Sequence, residues 1–179
     1  DPSGMFLGDR RPGIPGTVVT PALEGHRPLL VEVQTLVAAS TLSQPRRSAQ
    51  GLDSGRLALL LAVLDRRADL PIQALDVYAM AVGGVRVVEP GADLAICVAL
   101  ASSFVGRPVG ETTVACGEVG LGGELRQVGR LEFRLAEASR MGFTTAIVPR
   151  SAPQVDAPIE LLRVPTLAAA LDLLDLRRS

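Results

Sequence analysis

From Gly117 to Pro149 the chain reads GEVGLGGELRQVGRLEFRLAEASRMGFTTAIVP, and this stretch restricts the fold more than any other. The run Thr112–Val119 is rich in β-branched and apolar residues and predicts a strand. Gly120, Leu121, Gly122 and Gly123 interrupt it, and Glu124–Val128 predicts a short second strand. Leu131, Leu135 and Ala138 then recur at i, i+4 and i+7, the spacing of one helical face, and Gly142 can end that helix. Thr144–Val148 predicts a third strand, stopped by Pro149. Strands and helix alternating this closely require sheet and helix to share one core, so the fold class is α/β or α+β.

The rest of the chain agrees. Thr17–Leu23 and Leu29–Leu36 flank the turn-like segment EGHRP and predict a hairpin. Ala38–Gln50 is polar, contains Pro45-Arg46-Arg47, and reads as a loop. Asp53 or Ser54 can cap a helix running to about Arg67, with Pro71 beyond its end. Ala74–Val82 predicts a strand ending at Gly83-Gly84, with Val85–Val88 continuing it after a bend. Pro90 can open a helix whose apolar positions include Leu94, Val98 and Ala101. Ile159–Val164 predicts a last strand, and Thr166 caps a terminal helix over Leu167–Leu176. Residues 1–16 hold three prolines and four glycines and read as a linker or arm, leaving 17–179 as the folded domain.

Composition limits the core and the chemistry. Hydrophobic residues make up 47%, yet there is one Tyr, no Trp and four Phe, so the core is built of aliphatic side chains. The net charge of −1 argues against a uniformly basic nucleic-acid binder while leaving room for a local arginine stripe. Cys97 and Cys116 lie inside apolar runs and read as buried free thiols, the pattern of a reducing compartment. No CxxC pair or histidine cluster offers metal ligands. His26, the single histidine, falls in the expected hairpin turn. No signal peptide is evident, and the apolar runs Leu57–Leu64 and Leu94–Ala101 are too short to span a bilayer. The expectation is a soluble cytoplasmic protein without a membrane partner. The opening Asp1-Pro2-Ser3-Gly4-Met5 reads as an excision from a longer protein.

Two blocks carry a family likeness: Val82–Leu100, VGGVRVVEPGADLAICVAL, and Gly117–Pro149. They resemble the proteolytic domain of Lon-type proteases, and more closely the Lon-like C-terminal domain of the bacterial RadA (Sms) DNA-repair family. The segments MFLGDRRPGIPGTVVTPALEGHRPLLVEVQTLV and GLDSGRLALLLAVLDRR extend that resemblance over nearly the whole chain. It implies the Lon proteolytic-domain fold, related to the second domain of ribosomal protein S5. It further implies a larger protein with a zinc finger and a RecA-like ATPase, so that ATP, Mg and Zn belong to that larger protein and no cofactor to this chain. The implied assembly is a homo-hexameric ring driving branch migration on double-stranded DNA or branched recombination intermediates.

The catalytic residues of the family do not carry over. Lon's serine lies in a Pro-Ser-Ala-Gly sequence, and the matching run is Pro90-Gly91-Ala92-Asp93, which puts Gly91 at the nucleophile. Lon's lysine follows Gly-Gly-Leu, and the matching position after Gly129-Arg130-Leu131 is Glu132. All eighteen Lys+Arg residues are arginine. Arginine cannot act as a neutral base, and a P-loop likewise needs a lysine. Gly120–Gly123 therefore reads as a tight turn rather than a phosphate cradle. Ser102, Ser103, Thr112 and Thr113 have no histidine near them in sequence, and a carboxylate such as Glu118 or Glu132 is a poor base for serine without an imidazole between them.

The expectation is a pseudo-protease acting as ring scaffold and duplex-contacting platform. The alternatives are a purely structural oligomerisation module without DNA contact, and a residual serine peptidase. Candidate DNA contacts are Arg46, Arg47, Arg86, Arg107, Arg126, Arg130 and Arg134, with Arg130 and Arg134 expected on one helix face. For each arginine the competing role is a solvated residue or an internal partner of Glu89, Glu124 or Glu137.

Overall fold

A seven-stranded mixed sheet organises the protein, whose computed structural model describes residues 1–177. Its strands are β1 (Thr17–Glu24), β2 (Arg27–Ala39), β3 (Arg47–Gln50), β4 (Leu75–Ala81), β5 (Thr113–Ala115), β8 (Thr145–Pro149) and β9 (Glu160–Val164). The spatial order is β3-β4-β2-β1-β5-β8-β9. β1–β2 and β2–β4 pair antiparallel, and the other neighbours pair parallel. A separate antiparallel pair joins β6 (Glu118–Val119) to β7 (Leu125–Arg126). Among the described residues there are five α-helices: α1 (Pro2–Leu7), α2 (Ser54–Ala68), α3 (Asp93–Val105), α4 (Leu131–Arg140) and α5 (Leu167–Leu173).

The pleat sends alternate residues to two cores. Val18, Val31, Val33 and Val77 face one side, where α2, α3 and α5 pack; Val19, Leu30, Val114 and Val148 face the other, under α4. α3 is buried on every side from Asp93 to Ser102, as a helix apolar around its circumference must be. α2 begins as its sequence predicts, with the Asp53 carboxylate accepting from the Gly55 N–H at 3.1 Å.

Several expectations need correction. The segment 38–50, expected to be a loop, ends in β3, because Arg47–Gln50 finds β4 as a parallel partner. Val85–Val88 does not extend β4. After Gly83 and Gly84, both at positive φ, the chain turns away, and the Val87 N–H donates to the Gly51 carbonyl. The single strand expected over Thr112–Val119 is broken at Cys116-Gly117, where it leaves the main sheet to form the β6–β7 pair. α5 ends at Leu173 rather than Leu176. Residues 1–16 begin with a docked helix: the Ser3 hydroxyl is fully buried, donates to Glu137 at 2.5 Å and accepts from the Leu30 N–H at 3.1 Å.

Candidate functional site

The two positions that would bear a serine and a lysine lie on elements built as the sequence predicts, but with different chemistry around them. Pro90 opens a single 3-10 turn, Pro90–Ala92, that leads into α3. Gly91 is buried there, its carbonyl accepting from the Gly117 N–H at 3.0 Å while the Gly117 carbonyl accepts from the Leu94 N–H. At Gly117 a Cβ would sit 3.1 Å from the Pro149 ring, tight enough that the ring would have to give by a few tenths of an ångström.

An ion pair fills the space in front of Gly91. Arg134 from α4 meets Glu89 at 2.6 Å, donates to the Pro21 carbonyl at 3.0 Å and reaches back to the Gly129 carbonyl at 2.8 Å. The other Glu89 oxygen accepts from the Leu23 N–H at 2.7 Å. A Cβ on Gly91 would stand 2.7 Å from Glu89 Oε1 and 3.2 Å from an Arg134 nitrogen. Glu132 points elsewhere: it is exposed and accepts from the Asp156 N–H at 3.0 Å. Beneath the pair, burial pushes the Cys116 thiol up to about 12, and the Cys97 thiol in α3 is pushed up by the same cause. Both cysteines are buried and unpaired.

A second buried charge sits one turn further on. Asp93, with no exposure, takes a two-pronged contact from Arg56 of α2 and accepts from the Val119 N–H at 3.0 Å. Burial raises its pKa, and Arg56 and the Val119 N–H oppose that rise. This clasp ties α2, α3 and β6 together. Sequence reasoning passed over it, although an aspartate opening an otherwise apolar helix signals a need for a partner.

Of the hydroxyls weighed as alternative nucleophiles, those of Ser102 and Ser103 are committed to the backbone. Ser102 Oγ accepts from the Gly16 N–H at 2.9 Å and donates to the Arg107 carbonyl at 2.6 Å. Ser103 Oγ accepts from the Val37 N–H at 3.2 Å. Thr112 and Thr144 bond to each other. His26 lies beside Arg130, far along the chain from all of these.

The seven candidate arginines divide sharply. Arg134 is buried, at 4% exposure, so it does not share an open helix face with Arg130 and offers no surface for a phosphate. Arg126 pairs with Glu124 at 2.9 Å, and Arg107 with Asp175 at 2.6 Å. Arg47 donates to the Leu75 and Gln73 carbonyls at 2.5 and 2.6 Å. Arg46 is exposed, and its backbone N–H donates to the Asp76 carboxylate at 2.7 Å. Arg130 precedes α4 in the left-handed region at φ 61°, stacks on the Phe133 ring at 4.5 Å, and has no carboxylate partner among the described residues. Arg86 is exposed and likewise unpaired among them.

The glycine-rich turn does not fit a nucleotide phosphate. Gly123 N–H donates to the Gly120 carbonyl at 2.9 Å, and the Glu124 carboxylate folds over the turn to accept from the Gly122 N–H at 3.1 Å. A negative group already occupies the place an anion would take. Among the described residues no group of three or more His, Cys, Asp or Glu could hold a metal ion, and no helix is long and apolar enough to cross a membrane.

Residues 76–164, which include Glu89, Gly91, Gly117, Glu132 and Arg134, match the Lon protease (S16) C-terminal proteolytic domain. The chain is 45% identical over 172 residues to the DNA repair protein RadA of Synechocystis sp., and 45% identical over 171 residues to that of Mycobacterium tuberculosis. It is 42% identical over 175 residues to the same protein of Streptococcus pyogenes. Each comparison covers 96% of this chain. The chain belongs to the Lon-like C-terminal domains of the RadA family. It covers 34%, 36% and 39% of those three relatives, so it spans about a third of their length. In this RadA-type domain the Lon-like fold is present, and the Glu89–Arg134 pair stands where the Lon pattern would place a serine.

Proposed function

We propose that this chain is the non-proteolytic, Lon-like part of a RadA-type DNA-repair ATPase, serving as a hexameric ring scaffold that contacts duplex DNA during branch migration. The observation that carries the scaffold reading is the Arg134–Glu89 pair beside Gly91. A Ser-Lys hydrolase needs an open cleft, a hydroxyl and a neutral amine. Here the hydroxyl position is a glycine, the amine position is an exposed carboxylate, and a guanidinium that cannot lose its proton fills the cleft.

Duplex contact rests on Arg86 and Arg130, exposed and without carboxylate partners among the described residues. Arg46, exposed at the sheet edge, is a third candidate. One copy with a net charge of −1 binds a polyanion weakly, whereas copies in a ring present the same arginines at high effective concentration. Affinity is therefore oligomer-dependent and salt-dependent. ATP, Mg and Zn belong in this reading to the remaining two-thirds of the protein, and its location is the cytoplasm.

Gel shifts on ring and monomer fractions at roughly 50 and 200 mM salt test the DNA half of the reading, with ring-selective, salt-sensitive binding expected. Equal, salt-insensitive binding by both fractions counts against it. A fluorophosphonate probe tests the other half: covalent labelling of any serine sinks the non-proteolytic reading.

A further inference from the structure

The stretch between α1 and β1 lies mostly in solvent: residues 8, 9 and 11–14 are exposed, and Arg10 between them is partly buried. Its guanidinium enters a socket built by three elements distant in sequence. Nε lies 3.3 Å from the Glu32 carboxylate of β2, Nη2 donates to the Glu111 carbonyl before β5 at 2.9 Å, and the guanidinium carbon stands 5.2 Å from the centre of the Phe143 ring. The Glu32 carboxylate is 4% exposed, and its other oxygen accepts from the Gln34 amide at 3.0 Å. Phe143 is buried in the core under α4. Beside the guanidinium is a cavity of about 250 Å3, lined by Pro12, Glu111, Thr112, Met141, Gly142 and Phe143.

We propose that Glu32, Phe143 and the Glu111 carbonyl form a binding site for the guanidinium of an arginine-bearing peptide, and that Arg10 is its occupant in cis. The walls define the ligand class. A planar forked cation satisfies a carboxylate, a carbonyl and a ring face at once, which a compact ammonium does not. Among the described residues that line socket and cavity, Glu32 and Glu111 are acids and Arg10 is the one cation, so the site selects for positive charge. None of the walls belongs to residues 1–16, so the socket is the same whichever arginine fills it. Release of Arg10 into an empty state is unfavourable, because Glu32 is left charged and desolvated. Exchange for a second guanidinium keeps it paired, and the adjoining cavity has room for residues flanking an incoming arginine.

Arg10 is also free to leave without unfolding its neighbours. The stretch is pinned on either side of it. Ser3 holds α1 against Leu30 and Glu137. Gly16 donates to Ser102 Oγ at 2.9 Å, and its carbonyl accepts from the Thr35 N–H at 2.8 Å. Gly13, at φ 82° with nothing within 4 Å of its Cβ position, lies between the socket and that second anchor.

The probe is N-acetyl-argininamide, the smallest unit of such a peptide, read by the Phe143 ring resonances and by thermal melting. In Arg10→Ala it should bind saturably, shift those resonances and recover melting temperature lost with the side chain. The wild type, whose own arginine competes at high effective concentration, should need at least about tenfold more of it. N-acetyl-lysinamide should bind Arg10→Ala roughly tenfold more weakly, and adding Glu32→Gln should weaken argininamide binding by at least about tenfold. The proposal fails if argininamide gives no saturable shift, if lysinamide matches it, or if Glu32→Gln leaves its affinity unchanged. A destabilised Arg10→Ala that argininamide neither shifts nor restores makes Arg10 a structural ion pair and also overturns it. Should Arg10→Ala not fold, Arg10→Lys keeps the charge and takes its place; argininamide must then displace the ammonium and shift Phe143. These readouts involve neither DNA nor assembly, so their outcome is independent of the scaffold and duplex readings.

Discussion

Arg134 and Glu89 meet at 2.6 Å across the backbone of Gly91, joining α4 to the segment before α3. The arginine spends its remaining donors on the carbonyls of Pro21 and Gly129, and the carboxylate takes the Leu23 N–H. Three separate stretches of chain converge on one pair of side chains. The pair is therefore a structural joint.

The joint has a measurable strength. Arg134→Met should lower unfolding stability by about 3 kcal/mol, because it strands a carboxylate and two carbonyls in a poorly solvated site. Glu89→Gln should cost about 1–2 kcal/mol, since an amide still accepts from Leu23. Urea unfolding of both variants and the double variant checks this. A strongly sub-additive double variant is expected for residues in contact.

Restoring the missing dyad residues should not restore hydrolysis. In Gly91→Ser combined with Glu132→Lys, the new Cβ would press against Glu89 at 2.7 Å, at a cost of about 1–3 kcal/mol in stability. The pair would still separate the hydroxyl from any amine. The expected result is a destabilised protein that no fluorophosphonate labels.

The Asp93 clasp should respond to pH with a distinctive sign. Burial raises the folded-state pKa of Asp93 above its ordinary value. A raised carboxyl favours the folded state most at low pH and loses that contribution as pH rises. Arg56 opposes the rise, so Arg56→Met should cost about 3 kcal/mol at neutral pH and clearly less in acid, where Asp93 takes up a proton. Unfolding midpoints across pH test this, and an equal loss at every pH contradicts it.

Glu137 should behave in the opposite sense. Arg140 and the buried Ser3 hydroxyl hold its carboxyl below the ordinary value of 4.5. A depressed carboxyl contributes fully above that value, and its contribution drains away as pH falls through the folded-state pKa. Glu137→Gln should therefore flatten the acid side of the stability profile. Because Ser3 belongs to α1, amide exchange in residues 2–7 should accelerate on acidification in the wild type.

Arg130 predicts a trade between stability and binding. It sits at φ 61°, a conformation costing a non-glycine residue about 1 kcal/mol, against about 0.5 kcal/mol returned by its exposed stack on Phe133. Arg130→Gly should leave the domain slightly more stable, by about 0.5 kcal/mol, while weakening duplex binding and reducing its salt dependence. Thermal melts and salt-dependent gel shifts report the two effects independently.

Element order was written in local pattern. The period of Leu131, Leu135 and Ala138, the Asp53 cap and the proline stops each act within a few residues, so helices and strands appear close to where the sequence puts them. The absence of lysine was equally plain. Arg134 shows where local pattern stops: its helical position resembles that of an exposed residue until Glu89 and Pro21, brought in by the tertiary fold, make burial of its charge tolerable. Arg130, four residues away, stays outside for want of such partners. β3 formed from an apparent loop because β4 supplied its hydrogen bonds, and the Pro/Gly-rich start docked because Leu30 and Glu137 could satisfy Ser3. Periodicity and capping are short-range and legible in one dimension. Burial of a charge or a polar strand edge depends on partners distant in sequence, and only the folded chain decides which it meets.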